Sequence, residues 1–483
     1  MNFSMIRYTI GWLLVMEGAF FLVPLIAAIA YGESASILAF ALLAFFSTLI
    51  GVLLSYRKPR DKKLYQREGL VICALSWIVL SLVGALPFII TGVTPSYIDA
   101  LFETVSGFTT TGSTIFGEVE SLPRAILLWR SFTHWIGGMG VLVFMLAILP
   151  LGGGQSMHIM RAESPGPSVS KLVPKVRQTA MILYSIYFAM TVLQLLLLMI
   201  VGKESFFDAL NIAFATAGTG GFGFKNDSML SFSATTQIIT TVFMLLFSVN
   251  FSSYYLLLRG RLRDAFNTEL RVFAVFVVLM TGLITLNILG TAHDFSGWEE
   301  TLRHVGFTVA SLVSSTGFST VDFNLWPELS RFLLVLLMLV GACAGSTGGG
   351  LKMSRIIILA KGMLREFKML LHPRQVKKLQ MDGHTIDHEV VRTANAYIVT
   401  YVAIAIVSMA VLSVNGLDLT SNFTATVATL NNIGPGLNMV GPTQNFGFLS
   451  IPSKLMLIFN MLAGRLELFP LLVLLSPSTY KRS

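Results

Sequence analysis

Charged side chains are scarce in this sequence. Lys, Arg, Asp and Glu make up 12% of the 483 residues, whereas a soluble domain carries about 25%. So little charge cannot cover the surface of a soluble protein of this length, which excludes that class. Hydrophobic residues make up 54% of the chain and the mean hydropathy is +0.74, so an intrinsically disordered chain is excluded as well.

Cysteine is also rare, and Cys73 and Cys343 are its two occurrences. Two cysteines cannot build a disulfide framework. Both lie in apolar segments, so we expect them to be small buried residues. Patterns typical of a membrane-embedded enzyme are missing too. The chain has neither a His-Glu-Xaa-Xaa-His motif nor paired carboxylates inside its apolar runs, which leaves an enzyme as a distant alternative.

Long apolar runs recur along the chain, and most reach the ~20 residues that a helix needs to cross a bilayer. About ten are present, at residues 10–30, 37–55, 70–92, 125–150, 180–201, 235–258, 272–291, 331–345 with 353–360, 394–414 and 454–475. The sequence therefore predicts an all-α polytopic membrane protein. The first run is not typical of a signal peptide, because one basic residue precedes it and a second run follows closely.

The basic residues divide unequally between the two sides of the predicted membrane. If the runs alternate, 26 of the 34 Lys and Arg lie on one side and 7 on the other, with Arg465 inside the last run. Positive residues accumulate on the cytoplasmic side, so we predict that both termini are cytoplasmic. The outer side has 14 acidic residues against its 7 basic ones, which suits cation capture. The net charge of +9 therefore does not indicate nucleic-acid binding.

The connections on the outer side repeat one pattern four times. Each is an amphipathic segment that ends in a loop of small residues, and Asp99, Asp208 and Glu299 stand where three of these segments begin. An acidic residue suits the positive end of a short helix. Self-similarity at a fixed period indicates copies of one unit. We predict four pseudo-symmetric helix–pore-loop–helix repeats around a central pore, plus two extra N-terminal helices. The boundaries are 1–56 for the N-terminal pair and 68–150, 178–258, 270–362 and 392–477 for the repeats.

Polar loops at membrane depth are tolerated only where they are buried or line water. Four such loops around one axis would direct backbone carbonyls and the negative ends of short helices at the centre, which favours a cation. Glycine is needed there because a Cβ obstructs the required backbone shapes. Ordinary turns between helices would not explain four matching copies. The predicted ion-binding residues are Thr110, Thr111, Gly112, Thr219, Gly220, Gly221, Thr316, Gly317, Asn432, Ile433 and Gly434. In this alignment Gly220 is the counterpart of Gly112 and Gly317.

Several longer stretches match a known family. They are Phe-Thr-Thr-Thr-Gly112, Arg-Ala-Glu-Ser-Pro-Gly-Pro167, Gly220-Gly-Phe, Thr-Gly317-Phe, Gly-Ala-Cys-Ala-Gly-Ser-Thr-Gly-Gly-Gly-Leu-Lys352, Ala-Thr-Leu-Asn-Asn-Ile-Gly-Pro-Gly-Leu437 and Gly-Arg-Leu-Glu467. On these residues the chain resembles the TrkH branch of the Trk/Ktr/HKT potassium transporters over essentially its full length. The resemblance implies a homodimer in the lipid of a bacterial inner membrane, with one potassium pore per subunit. It also implies a cytoplasmic ring of TrkA-type RCK subunits that bind nucleotides, while this chain itself binds no cofactor and takes potassium as its substrate.

Five glycines interrupt the eighth run between Gly341 and Lys352, which predicts a broken helix with a loop in the membrane. The resemblance implies that this loop blocks the pore until TrkA moves it. Arg465 is a charge inside a span, which is costly and typical of a functional site; below the loops it would repel cations. The predicted gate residues are Gly345, Ser346, Thr347, Gly348, Gly349, Gly350, Lys352 and Arg465. The alternatives are a packing break without a gating role and, for Arg465, a structural ion pair with another helix.

Two departures from the family pattern leave the choice of ion open. The second loop is unusually rich in glycine, Ala217-Gly-Thr-Gly-Gly-Phe-Gly223, and the fourth has Asn431-Asn432-Ile433 in place of Thr before its glycine. Potassium over sodium therefore follows from the family and not from the loops themselves. A sodium-coupled or weakly selective cation transporter of the Ktr or HKT kind is the alternative. The basic segment 352–392 is interpreted equally as a TrkA docking surface or as ordinary cytoplasmic charge.

Overall fold

The computed structural model describes residues 1–60, 64–140, 176–291, 295, 297–372 and 378–480. α-Helices make up most of this part of the chain, and its sheet is a single antiparallel pair, β1 (Gln380–Met381) and β2 (His384–Thr385). Residues 141–150, the end of the predicted first repeat, and 161–167, one of the stretches that carries the family resemblance, lie outside the described residues.

The helices of the N-terminal half are α1 (Phe3–Phe20), α2 (Leu22–Tyr31), α3 (Ser34–Ser55), α4 (Gln66–Gly84), α5 (Leu86–Ile90), α6 (Tyr97–Phe108), α7 (Arg124–Gly138), α8 (Val176–Ile200), α9 (Phe206–Ala217), α10 (Ala234–Phe247) and α11 (Phe251–Leu258). Those of the C-terminal half are α12 (Leu262–Ala265), α13 (Thr268–Leu289), α14 (Trp298–Val313), α15 (Glu328–Leu339), α16 (Met353–Leu371), α17 (His388–Leu412), α18 (Leu419–Leu430), α19 (Ile451–Arg465) and α20 (Phe469–Leu475). Short 3₁₀ turns lie at Phe323–Leu325, Ser413–Asn415, Asn438–Val440 and Pro477–Thr479.

All ten predicted apolar runs contain helix, which confirms the all-α polytopic fold. Among the described residues, six helical segments are long and apolar enough to cross a membrane, or seven if the bent pair α10–α11 counts as one span. The count is lower than ten because four runs are incomplete or broken. The fourth continues into residues that are not described, and the sixth, eighth and tenth are each interrupted.

The break in the sixth run was not predicted. α10 and α11 meet at an angle of 90°, and the Asn250 side chain caps α11 by accepting a hydrogen bond from Ser252 N at 2.8 Å. The carbonyl of Ser248 accepts a hydrogen bond of 3.1 Å from Cys343 N, in the loop that interrupts the eighth run. A local cap and a tertiary contact therefore both hold the bend, whereas the apolar pattern of residues 235–258 would equally suit a straight helix.

The tenth run is also broken, although the sequence predicts a continuous span over 454–475. α19 ends at Arg465, and Glu467 and Leu468 take positive φ values of 59° and 63°. Leu468 N bonds to Ala463 O at 2.7 Å, which closes the turn before α20. This turn places Arg465 at the end of a helix, where its guanidinium reaches backbone carbonyls of other segments.

Four short helices confirm the predicted repeat. They are α6, α9, α14 and α18. Ser96, Ser205 and Asp418 cap three of them through side-chain bonds to backbone amides, the arrangement expected at a helix N-terminus. Each carries a nearly continuous run of buried residues towards its C-terminal end. The four C-terminal ends therefore meet in the interior of the protein.

Glycine allows α1 and α3 of the N-terminal pair to pack closely. A Cβ on Gly51 would lie 2.6 Å from Gly11 O and 2.7 Å from Val15 N, and one on Gly11 would lie 2.8 Å from Gly51 O. These neighbours are backbone atoms and cannot rotate away. The two helices are held at a distance that small residues alone permit, as in other membrane helix pairs.

We expect Gly51→Ala to destabilise the protein, because overpacking of a close contact costs about 1–3 kcal/mol. The measurement is the temperature at which the detergent-solubilised protein loses its monodisperse elution peak. Gly282→Ala is the matched control: it also lies in a spanning helix, but its Cβ would meet nothing within 4 Å. Equal melting temperatures for the two variants would contradict this account of the packing.

Candidate functional site

The four short helices end in one type of cap. At the end of α6, Thr110 N bonds to Gly107 O at 3.1 Å and Thr111 N to Ser106 O at 2.8 Å. This pair of bonds defines the Schellman motif, in which the chain turns back over the last helical turn. The same two bonds, each from a backbone N–H to a backbone carbonyl, recur at the other three ends. They are Thr219 N to Thr216 O and Gly220 N to Ala215 O after α9, Ser315 N to Leu312 O and Thr316 N to Ser311 O after α14, and Asn432 N to Thr429 O and Ile433 N to Ala428 O after α18.

The turning residue of each cap is strained. Thr110, Thr219, Ser315 and Asn432 have φ values of 57°, 54°, 61° and 52°. This left-handed region costs a residue other than glycine about 1–2 kcal/mol, so the surrounding packing must hold all four in place. Such strain is typical of functional sites. It also sets a common register for the four loops, which the sequence pattern alone does not define.

The residues after each cap form a closed ring. Gly112, Gly221, Gly317 and Gly434 all have positive φ. We call these four glycines and the residues just before them the glycine ring.

Each ring glycine faces a backbone carbonyl of the next repeat. A Cβ on Gly112 would overlap Gly220 O, and one on Gly221 would overlap Thr316 O. The third contact runs from Gly317 to Ile433 O, and the fourth from Gly434 to Thr111 O at 2.8 Å, which closes the circle.

The register of the second loop corrects the sequence alignment. Gly221, and not Gly220, occupies the position of Gly112, while Gly220 stands where the other loops have Thr111, Thr316 and Ile433. A Cβ on Gly220 would overlap the imidazole of His134. The extra glycine therefore accommodates a side chain from another helix, and a sequence pattern contains no sign of that contact.

A small cavity lies on the outer side of the ring. Its volume is about 110 Å³, and the ring glycines line it together with residues of the outer connections, among them Ser113, Asn226 and Asn445. The wall is thus formed largely of polar and glycine residues, with hydroxyls, amides and backbone groups. Two cationic side chains, Arg130 and Lys225, also line the cavity.

The interruption of the eighth run is a compact loop, Gly341–Lys352, which we call the central loop. Gly341 N bonds to Leu351 O at 2.8 Å and closes its base. The Glu269 carboxylate accepts hydrogen bonds from Ala344 N at 2.8 Å and from Ser354 N at 2.9 Å. The broken eighth helix predicted from the sequence is present, and hydrogen bonds from α13 hold it in a defined shape.

The tip of the central loop lies against the caps of the short helices. Gly349 N donates to Ser315 Oγ at 2.5 Å, and a Cβ on Gly348 would lie 2.8 Å from Ser314 O. Thr347 Oγ1 donates to Phe247 O of α10 at 3.1 Å. The central loop therefore sits next to the glycine ring on the side opposite the outer cavity.

Arg465 joins the central loop to the rest of the site. Its Nη1 donates to Thr347 O at 3.0 Å and lies 3.5 Å from Thr110 Oγ1. Its Nη2 donates to the carbonyls of Gly137 and Gly138, the latter at 2.6 Å. Lys352, also in the predicted gate, donates to Gly348 O within the loop. Two cationic side chains thus lie together under the ring.

Glu467 does not serve Arg465 as a partner in the described contacts. It forms an ion pair with Arg355, one turn into α16. Residues two apart on a helix do not face each other, so the spacing of Arg465 and Glu467 does not favour a pair between them. The positive charge of Arg465 is directed at backbone carbonyls near the axis of the ring.

A second buried ion pair, between Glu103 and Arg130, was missed by the sequence analysis. Its N–O distance is 2.8 Å and both side chains are almost fully buried. The available signal was a charge inside an apolar run, the same signal that singled out Arg465, since Arg130 lies within residues 125–150. In the charge count, Arg130 is one of the 7 basic residues of the outer side.

The structure defines a polytopic membrane protein with four re-entrant loops closed around one axis. The family model described as TrkH, cation transport protein, matches residues 36–481. The chain belongs to this family.

Proteins of similar length match this chain in sequence, and one of them in fold. The Trk system potassium uptake protein TrkH of Escherichia coli K12 is 37% identical over the full length of both chains. The TrkG protein of the same system and organism is 31% identical over 99% of each chain. The crystal structure of the potassium transporter TrkH from Vibrio parahaemolyticus superposes with a TM-score of 0.89 at 33% identity over all of both chains.

Proposed function

We propose that this protein takes up potassium ions across the bacterial inner membrane, through a gated pore whose filter is the glycine ring. The observation that carries the proposal is the closed circle in which each ring glycine abuts a carbonyl of the next repeat. Carbonyls held around one axis replace the hydration shell of a cation. The relatives named as potassium uptake proteins support potassium as the ion.

The central loop and Arg465 are the proposed gate. The loop closes the axis beneath the ring, and Arg465 and Lys352 bring positive charge to the same place. A cation that leaves the ring would meet both an obstruction and a repulsive charge. Opening then requires the loop to move away, which breaks the hydrogen bonds of its tip to Phe247, Ser315 and Arg465.

The regulatory partner is a cytoplasmic TrkA-type subunit that binds nucleotides, and the chain forms a homodimer. The names of the relatives as components of a Trk system support a partner. Both termini lie in the cytoplasm, in agreement with the unequal division of basic residues. The hydrogen bond from Arg7 to Arg57 O, of 3.4 Å, supports this orientation, because it joins the N-terminal helix to the basic 57–67 segment.

The alternative is a sodium-coupled or weakly selective cation transporter. It is favoured by the chemical inequality of the loops, since the position occupied by Thr111 and Thr316 is Gly220 in one loop and Ile433 in another. A direct experiment is potassium-limited growth of an uptake-deficient bacterium, with and without a TrkA-type partner. Growth that depends on the chain supports the proposal, and its absence in cells that contain the inserted chain would overturn it.

We expect Gly112→Ser to lower potassium-over-sodium discrimination by about tenfold, the equivalent of ~1.4 kcal/mol. The added side chain would displace the carbonyl of Gly220. The measurement is the ratio of potassium to sodium flux in proteoliposomes.

Gly117→Ser is the matched control for Gly112→Ser, because Gly117 lines the same outer cavity. A Cβ on Gly117 would lie 3.3 Å from a side-chain atom, Asn445 Nδ2, and not against a backbone carbonyl. Equal ratios in both variants and the parent would refute the filter.

Removal of the charge at the gate, in Arg465→Ala, is expected to raise flux by about tenfold. A charge a few ångströms from a partly hydrated cation contributes on the order of 1–4 kcal/mol of repulsion. Arg465→Lys separates charge from hydrogen bonding, because it keeps the charge and loses most of the carbonyl contacts. Flux should stay near the parent value in Arg465→Lys. A flux unchanged or lowered in well-inserted Arg465→Ala would count against repulsion.

Deletion of Gly345 to Gly350 should make conduction less dependent on the TrkA-type partner. The deletion leaves the base of the central loop intact, because the bond between Gly341 N and Leu351 O lies outside it. Rubidium uptake with and without the partner is the measurement. A deletion variant that inserts normally yet conducts no more than the parent without the partner would show that the loop is not the gate.

A further inference from the structure

We infer that Arg130 and His134 of α7 are positioning residues that hold the second loop of the glycine ring and thereby set the selectivity of the pore among monovalent cations. The inference rests on the proposed filter function of the ring. It assigns a selectivity role to two side chains that contact the second loop but are not part of the ring.

Arg130 links three parts of the protein. Its guanidinium pairs with Glu103 of α6 at 2.8 Å, and the exposed fractions of the two side chains are 2% and 0%. Its Nη1 donates to Gly223 O, in the second loop, at 2.9 Å, and its guanidinium lies over the ring of Phe222 at 4.2 Å. Hydrogen bonds from a charged donor are the strongest available for fixing a backbone.

The Glu103 carboxylate also hydrogen bonds to the first loop. Its carboxylate accepts hydrogen bonds from Thr114 Oγ1 at 3.0 Å and from Ile115 N at 2.9 Å. Both belong to the chain just beyond Gly112. The pair therefore connects the outer end of the first loop to the outer end of the second, which lies next to it in the ring.

His134 repeats the connection one helical turn further along α7. Its Nδ1 is 2.7 Å from Gly107 O of α6, and its Nε2 accepts a hydrogen bond from Phe222 N at 3.2 Å. A carbonyl can only accept and a backbone amide can only donate, so Nδ1 carries the proton and the imidazole is neutral. The ring also packs on Phe222, with 4.3 Å between centroids.

The second loop needs support from outside because it has few side chains of its own. Between Ala217 and Gly223 it contains four glycines, the residue with the greatest backbone freedom. In the first and third loops, Thr111 and Thr316 hydrogen bond to hydroxyls of the same loop, at 2.8 and 2.7 Å. Gly220 has no such group, and the imidazole of His134 fills the space where its side chain would be.

This support is specific to the contact between the first and second repeats. In the register that the caps define, the counterparts of Glu103 in the other short helices are Ile212, Thr308 and Ala425. None of the three can ionise. Within the described part of the chain, α7 thus holds the glycine-rich loop of the ring with a charged pair that has no counterpart at that level of the other short helices.

The consequence is that the position of the second loop, and so the fit of its carbonyls to potassium, depends on α7. Release of Phe222 N and Gly223 O would allow the glycine-rich loop to close around a smaller cation or to widen. Either change reduces the preference for potassium over sodium without altering any residue of the ring.

His134→Leu tests this directly, because it keeps an apolar group of similar size and removes both hydrogen bonds. We expect the potassium-to-sodium flux ratio in proteoliposomes to fall by about tenfold, which corresponds to the ~1.4 kcal/mol of one buried hydrogen bond. His134→Gln carries an amide that both donates and accepts, and should retain most of the ratio. This rescue distinguishes positioning from space filling.

The Arg130 contact is tested with two further variants. Glu103→Gln combined with Arg130→Gln removes both charges at once and avoids a lone buried ion. Arg130→Lys keeps the charge beside Glu103 but cannot span both Glu103 and Gly223 O. Both should lower the flux ratio, and Arg130→Lys provides the measurement if the double variant does not fold.

Asp99→Asn is the matched control. It breaks the ion pair between Asp99 and Lys454, of 2.6 Å, at the opposite end of the same helix α6, and should leave the flux ratio unchanged. Gly112→Ser is measured alongside. If Gly112→Ser lowers the ratio while His134→Leu and Arg130→Lys match the parent in ratio and melting temperature, this inference is wrong and the filter stands. An unchanged ratio in Gly112→Ser would overturn the filter itself.

Discussion

The structure depends on the absence of a Cβ at four places around one axis. Each ring glycine lies so close to a carbonyl of the neighbouring repeat that no other residue fits, and the positive φ at the same positions favours glycine again. The four loops can meet only because of these contacts. The short helices, their caps and the spans around them all serve to bring those four backbone segments to the same point.

Three sets of contacts hold the ring in place. The Schellman caps hold it from the short helices, the central loop and Arg465 touch it from one side, and α7 holds the second loop from behind. Most of these contacts end on backbone carbonyls or amides. A site built from backbone groups tolerates differences in side chains between its four copies, which explains how Thr111, Gly220 and Ile433 can occupy one equivalent position.

Much of this architecture was predictable from the sequence, because apolar runs, charge asymmetry and glycine loops are local signals. The short helices at 97–108 and 206–217 and the broken eighth span follow from such patterns. The bend of α10–α11, the register of Gly221 and the contacts of Arg130 and His134 do not follow from them. Each of these depends on a contact with a residue distant in the chain, and a local sequence pattern does not show which distant residue that is.

The sequence by itself determined that this chain is a charge-poor, fourfold-repeated membrane protein with glycine loops at membrane depth, since hydropathy and residue type are properties of single segments. The tertiary structure decided which carbonyl faces which glycine, where the central loop lies and what surrounds each buried charge. Those are distances between segments up to several hundred residues apart. They are set by the packing of all the helices together, and no segment specifies them alone.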